Sequence, residues 1–282
     1  MRRQSRMMIL LGAGLLCLIG ILVIFAPMFT SYNPILDDPT ARLLPPSRAH
    51  LMGTDHFGRD IFTRILYGGR ITLPLAFVTI TLTGAVGATL GIFSALWYGG
   101  LFDRVLMRVV DVLLAIPFMV LAMAVSAIFG RGLEKLLLIV VLVWWAPFAR
   151  YTRSLVLNVK DRESILAARV LGASTSRIIV SEILPEIFYA LCIYLTLEYS
   201  SLILTISTLS FFGLGSQPPT PEWGSMLSDG RSYFLYSAHV LLWPAAFIVA
   251  VVLGLNLLGE GMRDEDYPYD LVPFGEEGNH EH

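Results

Sequence analysis

The chain has 282 residues, 55% of them hydrophobic and 15% charged, where an ordinary soluble domain carries about 25% charge. That shortfall points to lipid as the principal solvent and excludes a large soluble domain. The formal net charge of −2 offers no basic face to nucleic acid, and two cysteines make neither a disulfide framework nor a zinc spacing.

A helix needs about 20 apolar residues to cross the hydrocarbon core. Six runs meet or approach that length: 7–29, 71–97, 109–130, 134–150, 186–212 and 239–261. Arg2, Arg3 and Arg6 precede the first, which is too long for a signal-peptide core and is followed by no A-x-A-like site, so it reads as a retained span. In the second run Gly84, Gly87 and Gly91 lie on nearby helical faces and predict a close-packing seam. Asp111, near the start of the third, is accounted for by an i,i+3 pair with Arg108. The short fourth run is set off by the Gly130-Arg131-Gly132 turn. Pro27, Pro74, Pro117, Pro147 and Pro244 lie within or near these spans and are tolerated where neighbouring helices satisfy the freed carbonyls. Cys17 and Cys192, both inside apolar runs, read as small buried hydrophobes.

Midway along the fifth run sits Glu198. An ionisable group at that depth is costly, and it reads either as a candidate pore-lining group or as a hydrogen-bonded structural glutamate. Asn256 in the sixth run reads as a bond to a neighbouring helix. Trp97, Trp223 and Trp243 fall at expected membrane boundaries, where aromatic belts occur.

By the positive-inside rule the N-terminal arginines are cytoplasmic. Six crossings then put the 151–185 loop and the C-terminus inside, and that loop carries Arg153, Lys160, Arg162, Arg169 and Arg177. The 213–238 loop falls outside with Arg231 alone. Its Pro218, Pro219 and Pro221 stiffen it, for contact with a delivery protein or as a plug, with Trp223 beside them. The 30–70 loop breaks the rule, because Arg42, Arg48, Arg59, Arg64 and Arg70 would be external. His50 and His56 in that loop, and His280 and His282 at the chain end, fall short of a three- or four-ligand site, and no metal is assigned. The resulting organisation is an N-terminal span and external loop over 1–70, a helical core over 71–265 and a cytoplasmic tail over 266–282.

Residues 151–185 are too charged to span a bilayer yet keep helical patterning. Asp161 is placed to cap a helix from Arg162, with Ile165, Leu166 and Ala168 as its apolar positions and Gly172 as its stop. Ser174 is placed to cap a second helix that ends before Pro185. Two such helices on the cytoplasmic face would make a rigid knob that a soluble partner could grip and push.

Ala167-Ala168, Gly172 four residues on, and Ile183-Leu184-Pro185 resemble the "EAA loop" of bacterial importer permeases. Leu166 stands in place of the usual Glu, and Glu182 in place of an apolar residue. Gly53-Thr54-Asp55-His56-Phe57-Gly58-Arg59-Asp60, the stretch Gln217 to Gly224 (QPPTPEWG) and Asn256 to Asp264 (NLLGEGMRD) are similar to signatures of the dipeptide, oligopeptide and nickel permeases. Together the four motifs cover the chain from about residue 40 to 270, and resemble the second, C-type, of that group's paired permeases. The resemblance implies an all-α polytopic protein of the type I ABC importer permease fold, with about six transmembrane helices, in a bacterial plasma membrane. It implies a homologous permease subunit, two ABC ATPase subunits and an extracytoplasmic substrate-binding protein as partners. Ala167, Ala168, Gly172, Ile183, Leu184 and Pro185 would couple to the ATPase. No G-x-x-x-x-G-K-[ST] phosphate loop is present, so ATP is expected on the partners and no cofactor on this chain. The cargo would be short peptides or nickel and metal chelates, with the residues around His56 closer to the nickel branch. A self-contained secondary transporter is the alternative, though no internal repeat is visible. An intramembrane enzyme would need a motif such as H-E-x-x-H, which is absent.

Overall fold

The apolar runs become helices that pack side by side. A computed structural model describes residues 2–266, so the expectations for the 267–282 tail, His280 and His282 included, lie outside it. The chain runs through α1 (Arg2–Ile24), a single turn α2 (Ala26–Phe29), α3 (Ile61–Leu96), α4 (Leu101–Ala115), α5 (Phe118–Phe129) and α6 (Leu133–Val159). It continues through the short α7 (Glu163–Val170) and α8 (Thr175–Ile178) to α9 (Leu184–Phe211), α10 (Trp223–Gly230) and α11 (His239–Asp266). Among the described residues the one β-type pairing is an isolated bridge between Thr54 and Asp60.

Four stretches, Arg3–Ile24, Ile61–Leu96, Thr175–Phe211 and His239–Asp264, are long and apolar enough to cross a membrane; α4 with α5 makes a fifth if that bent pair is one span. Helix α6, the remaining long helix, is not among these spans, so four or five stand where about six were expected. Its 27 residues reach about 40 Å at 1.5 Å per residue, with Glu134, Lys135, Arg150 and Arg153 set toward its ends.

Two runs differ from their expected form. The third is not one straight helix, because α4 and α5 meet at 86°. Pro117 has no N–H to continue the ladder and holds Ile116 in extended backbone. Pro74, Pro147 and Pro244, by contrast, stay inside helices. The second run starts at Ile61 rather than 71. Arg64, a charge in the first turn of this helix, is only 2% exposed and is paired with Asp55.

The glycine seam forms as expected. A Cβ on Gly87 would lie 2.4 Å from the Trp145 carbonyl oxygen, and one on Gly91 would lie 2.5 Å from that of Ala149, so α3 and α6 lie almost backbone to backbone. A second close approach joins α1 to α11, where a Cβ on Gly12 would lie 2.6 Å from the Gly254 oxygen and one on Gly261 2.9 Å from that of Ser5. The main core fills the space between, with Ile65, Ile80, Phe148, Leu202, Ile206 and Val251 among its buried members. Cys17 departs from expectation: it is exposed, on the outward face of α1, and Cys192 is half-buried.

These packings give the bundle two ends. At one, the 30–60 loop meets the 213–238 loop. Asp55 accepts from the Arg59 guanidinium at 2.8 Å, Arg64 donates to the Pro34 and Pro219 carbonyls at 2.7 and 3.3 Å, and Asp60 caps α3 by accepting from the Thr63 N–H at 2.7 Å. The arginines that strained the positive-inside rule are thus in part buried ion-pair members. Glu222 caps α10 by accepting from the Gly224 and Ser225 N–H groups at 2.8 and 2.9 Å. Trp223 is fully buried, with its indole N–H on the Ile65 carbonyl at 2.8 Å. It is an internal anchor, not a belt residue or a contact for a delivery protein, because a short helix must bury a large side chain to dock. His56 stacks on Tyr233 with ring centroids 4.9 Å apart, and burial pushes its imidazole below the usual range.

Replacing Gly87 by Ala should force α3 off α6 and cost about 1–3 kcal/mol, as overpacking does. The same change at Gly14, where a Cβ meets nothing within 4 Å, should cost almost nothing. Thermal melts of the two purified variants check this.

Candidate functional site

The opposite end carries the feature that the charge pattern of 151–185 foretold. Helix α6 runs on to Val159, a half-turn of loop follows, and two short helices fold back as a hairpin. Asp161 does not cap α7; the N-cap is Arg162, whose side chain makes no cap bond, since Asp161 sits one residue too early. Arg162 pairs instead with Glu186 on α9.

Helix α7 ends in a Schellman motif. The Ala173 N–H reaches the Ala168 carbonyl at 3.0 Å and the Gly172 N–H that of Arg169 at 3.1 Å. Gly172 has φ +79° with open space where a Cβ would go, so glycine is needed for the backbone angle and not for room. Ser174 caps α8 by accepting from the Arg177 N–H at 3.4 Å. The second helix does not stop before Pro185: a π-helical turn over Ile179–Ile183 carries it into α9, where Pro185 occupies the first turn, the place in a helix where a missing N–H costs least.

The hairpin is fixed by an apolar cluster of its own. Ile165, Ile178, Ile183 and Ile187 are buried against Ile92 and Ala95 of α3 and Val156 and Val159 of α6. Its other face is bare. Val170 and Leu171 are 87% and 86% exposed, beside a cavity of about 400 Å³ walled by Ala168, Leu171, Gly172, Ala173, Arg177 and Glu182.

A polar clamp ties the same end together. Arg153 grips Asp103 with two parallel bonds of 2.7 and 2.9 Å. Asp103 also accepts from the Ser94 hydroxyl at 2.5 Å and the Gly99 N–H at 2.9 Å. The turn between α3 and α4 is thereby locked to α6, with Tyr98 under both Arg153 and Lys160. Asp111 pairs with Arg150 of α6 and not with Arg108, because the tertiary partner lies on the facing helix.

Glu198 lies far from the hairpin, in mid-bundle. The Trp144 indole N–H donates to it at 3.1 Å, and it borders a cavity of about 290 Å³ at the α4–α5 break. Asn256 accepts from the Ser200 hydroxyl at 2.8 Å, the interhelical bond expected of it.

Residues 87–264 match the family described as binding-protein-dependent transport system inner membrane component. The chain is 41% identical to the dipeptide transport system permease protein DppC of Alkalihalophilus pseudofirmus, over 86% of this chain and 80% of that one. It is 36% identical to DppC of Haemophilus influenzae, over 90% and 88%. The chain belongs to this family of importer permeases. An inward-facing structure of the MetNI methionine ABC transporter shares the fold, with a TM-score of 0.59 at 20% identity over 71% of this chain and 94% of that one.

The permease places the six residues of its "EAA" resemblance in two groups. Ala167 and Gly172 are exposed at the hairpin bend, Ala168 is half-buried on the cavity wall, and Pro185 is exposed at the foot of α9. Ile183 is fully buried in the hairpin's own cluster and Leu184 is half-buried beside it. Sequence reasoning missed the clamp, for which Asp103 eight residues before Asp111 was a visible but unread signal. Changing Asp103 to Ala in the permease should cost roughly 2–3 kcal/mol, at or below the lower limit for broken buried pairs because Arg153 is 22% exposed. Asp37, 55% exposed beside Arg59, should tolerate the same change within about 1 kcal/mol; melting temperatures of both variants decide.

Proposed function

We propose that this permease imports short peptides across a bacterial plasma membrane, as one of two homologous permease subunits driven by two ABC ATPases and supplied by an extracytoplasmic binding protein. In this reading the 162–184 hairpin is cytoplasmic and docks on an ATPase, ATP stays on that partner, and no cofactor or catalytic residue belongs to this chain. The observation that carries it is the hairpin itself: an exposed apolar bend, Val170 and Leu171, on a base packed into the feet of α3, α6 and α9. A face that apolar suits a protein partner.

Orientation follows from charge. Arg3 and Arg6 at the start of α1 share an end with Lys160, Arg162, Arg169 and Arg177, since Tyr189 near the hairpin bonds the Met262 carbonyl and Gly261 packs on Ser5. Lys and Arg collect on the cytoplasmic side, which supports a cytoplasmic start of α1 and a cytoplasmic end of α11. The relatives' names support peptides as cargo over nickel or metal chelates, despite the leaning of the residues around His56. No observation favours a self-contained secondary transporter.

ATP binding would draw the ATPases together, and the hairpin, unable to slide on its own helices, would carry that movement into the bundle. A binding protein that prefers one conformation shifts the balance by its differential affinity. Replacing Gly172 by Arg should leave membrane levels intact and reduce ATP-dependent uptake of labelled dipeptide to background. Normal uptake by that variant would remove the hairpin from the mechanism.

A further inference from the structure

The break between α4 and α5 opens the cavity of about 290 Å³ whose walls include Ile116, Pro117, Phe118, Trp144 and Glu198. Among the described residues Glu198 is the only charged one on those walls. The Trp144 indole N–H donates to its carboxyl group at 3.1 Å. A carboxylate offers about four lone-pair sites, so acceptor capacity remains. Among the described residues no Lys or Arg pairs with it; Arg150, on the helix that carries Trp144, is engaged by Asp111.

A carboxylate at membrane depth without a counter-ion marks a path for substrate or ion. Helix α4 ends at Ala115 beside this pocket, and the C-terminal end of a helix carries a partial negative charge. Trp144 and Phe118 meet edge to face with centroids 5.1 Å apart, and aromatic faces attract cations. The pocket thus complements a small cation that donates hydrogen bonds. A metal ion would need three or four converging ligands, and among the described residues no three His, Cys, Asp or Glu converge. An ammonium group needs a carboxylate with acceptor capacity to spare and is favoured by aromatic rings, and Glu198, Trp144 and Phe118 supply these on the walls of the pocket.

We propose that Glu198 receives the protonated α-amine of a peptide in transit, so that the permease itself selects for a free N-terminus. The inference rests on the peptide-importer reading above. Peptide side chains vary, whereas an unblocked N-terminus is common to them and is mostly protonated at pH 7, with a pKa of about 8.

The test uses the purified nucleotide-free complex without its binding protein. Glycylglycine and N-acetyl-glycylglycine are titrated while tryptophan fluorescence is followed, the Trp144 contribution being isolated with a Trp144→Phe variant. The free dipeptide should change the Trp144 signal, and the acetylated one should bind at least about tenfold more weakly, as loss of a charge-assisted bond requires. Glu198→Gln should bring glycylglycine down to the level of its acetylated form and leave the latter unchanged. Glu198→Asp should keep the preference, and it serves if the Gln variant fails to assemble. Equal binding of the two peptides to the unmutated complex, a preference that survives in Glu198→Gln, or no response to glycylglycine would each overturn the proposal. Uptake of labelled glycylglycine with the binding protein is measured alongside. Import without an amine preference ends this inference and leaves the importer reading standing; failure to import any peptide ends both.

Discussion

Four buried isoleucines, Ile165, Ile178, Ile183 and Ile187, hold the hairpin to the ends of three long helices. A helix of eight residues and another of four cannot persist alone, since helix nucleation is costly and short helices are marginal in water. Each buried isoleucine contributes about 2 kcal/mol, and its branched side chain has few rotamers to exchange. The hairpin therefore moves with α3, α6 and α9. Force applied to its exposed bend reaches the membrane segments because no compliant linker lies between.

The rest of the structure divides into stiff and yielding parts around that weld. Helices α3 and α6 are joined at near backbone distance by Gly87 and Gly91, and the Asp103–Arg153 clamp adds the start of α4 to the same body. The far end is closed by buried ion pairs around Asp55 and by the caps of Asp60 and Glu222. In contrast, α5 buries only Ala122 and Ser126 against this chain. It meets α4 at the proline break, next to Glu198 and the cavity that Glu198 borders.

Much of this was legible in the residues. Length of apolar run found the long helices, glycine spacing found the α3–α6 seam, and Gly172 with Ser174 found the bend of the hairpin. The failures share a cause. Arg64, Asp111 and Trp223 were read from their neighbours in sequence and Asp103 was not read at all, whereas their energetics depend on partners brought together by the fold. The same holds for Pro185, which stops nothing because the preceding turn is already helical. For Glu198 the sequence showed the cost of the charge but not the tryptophan, the helix break and the cavity that employ it.

The central claim is that the bend at Val170 and Leu171 meets an ATPase inside the cell. It is tested most directly with cysteine placed at Leu171 in a chain lacking Cys17 and Cys192, in cells that contain the whole transporter. The account predicts a cross-link from position 171 to the ATPase subunit, with yield that changes when ATP is bound, and no labelling by a membrane-impermeant thiol reagent added outside. Labelling from outside, with no cross-link to the ATPase, would contradict it.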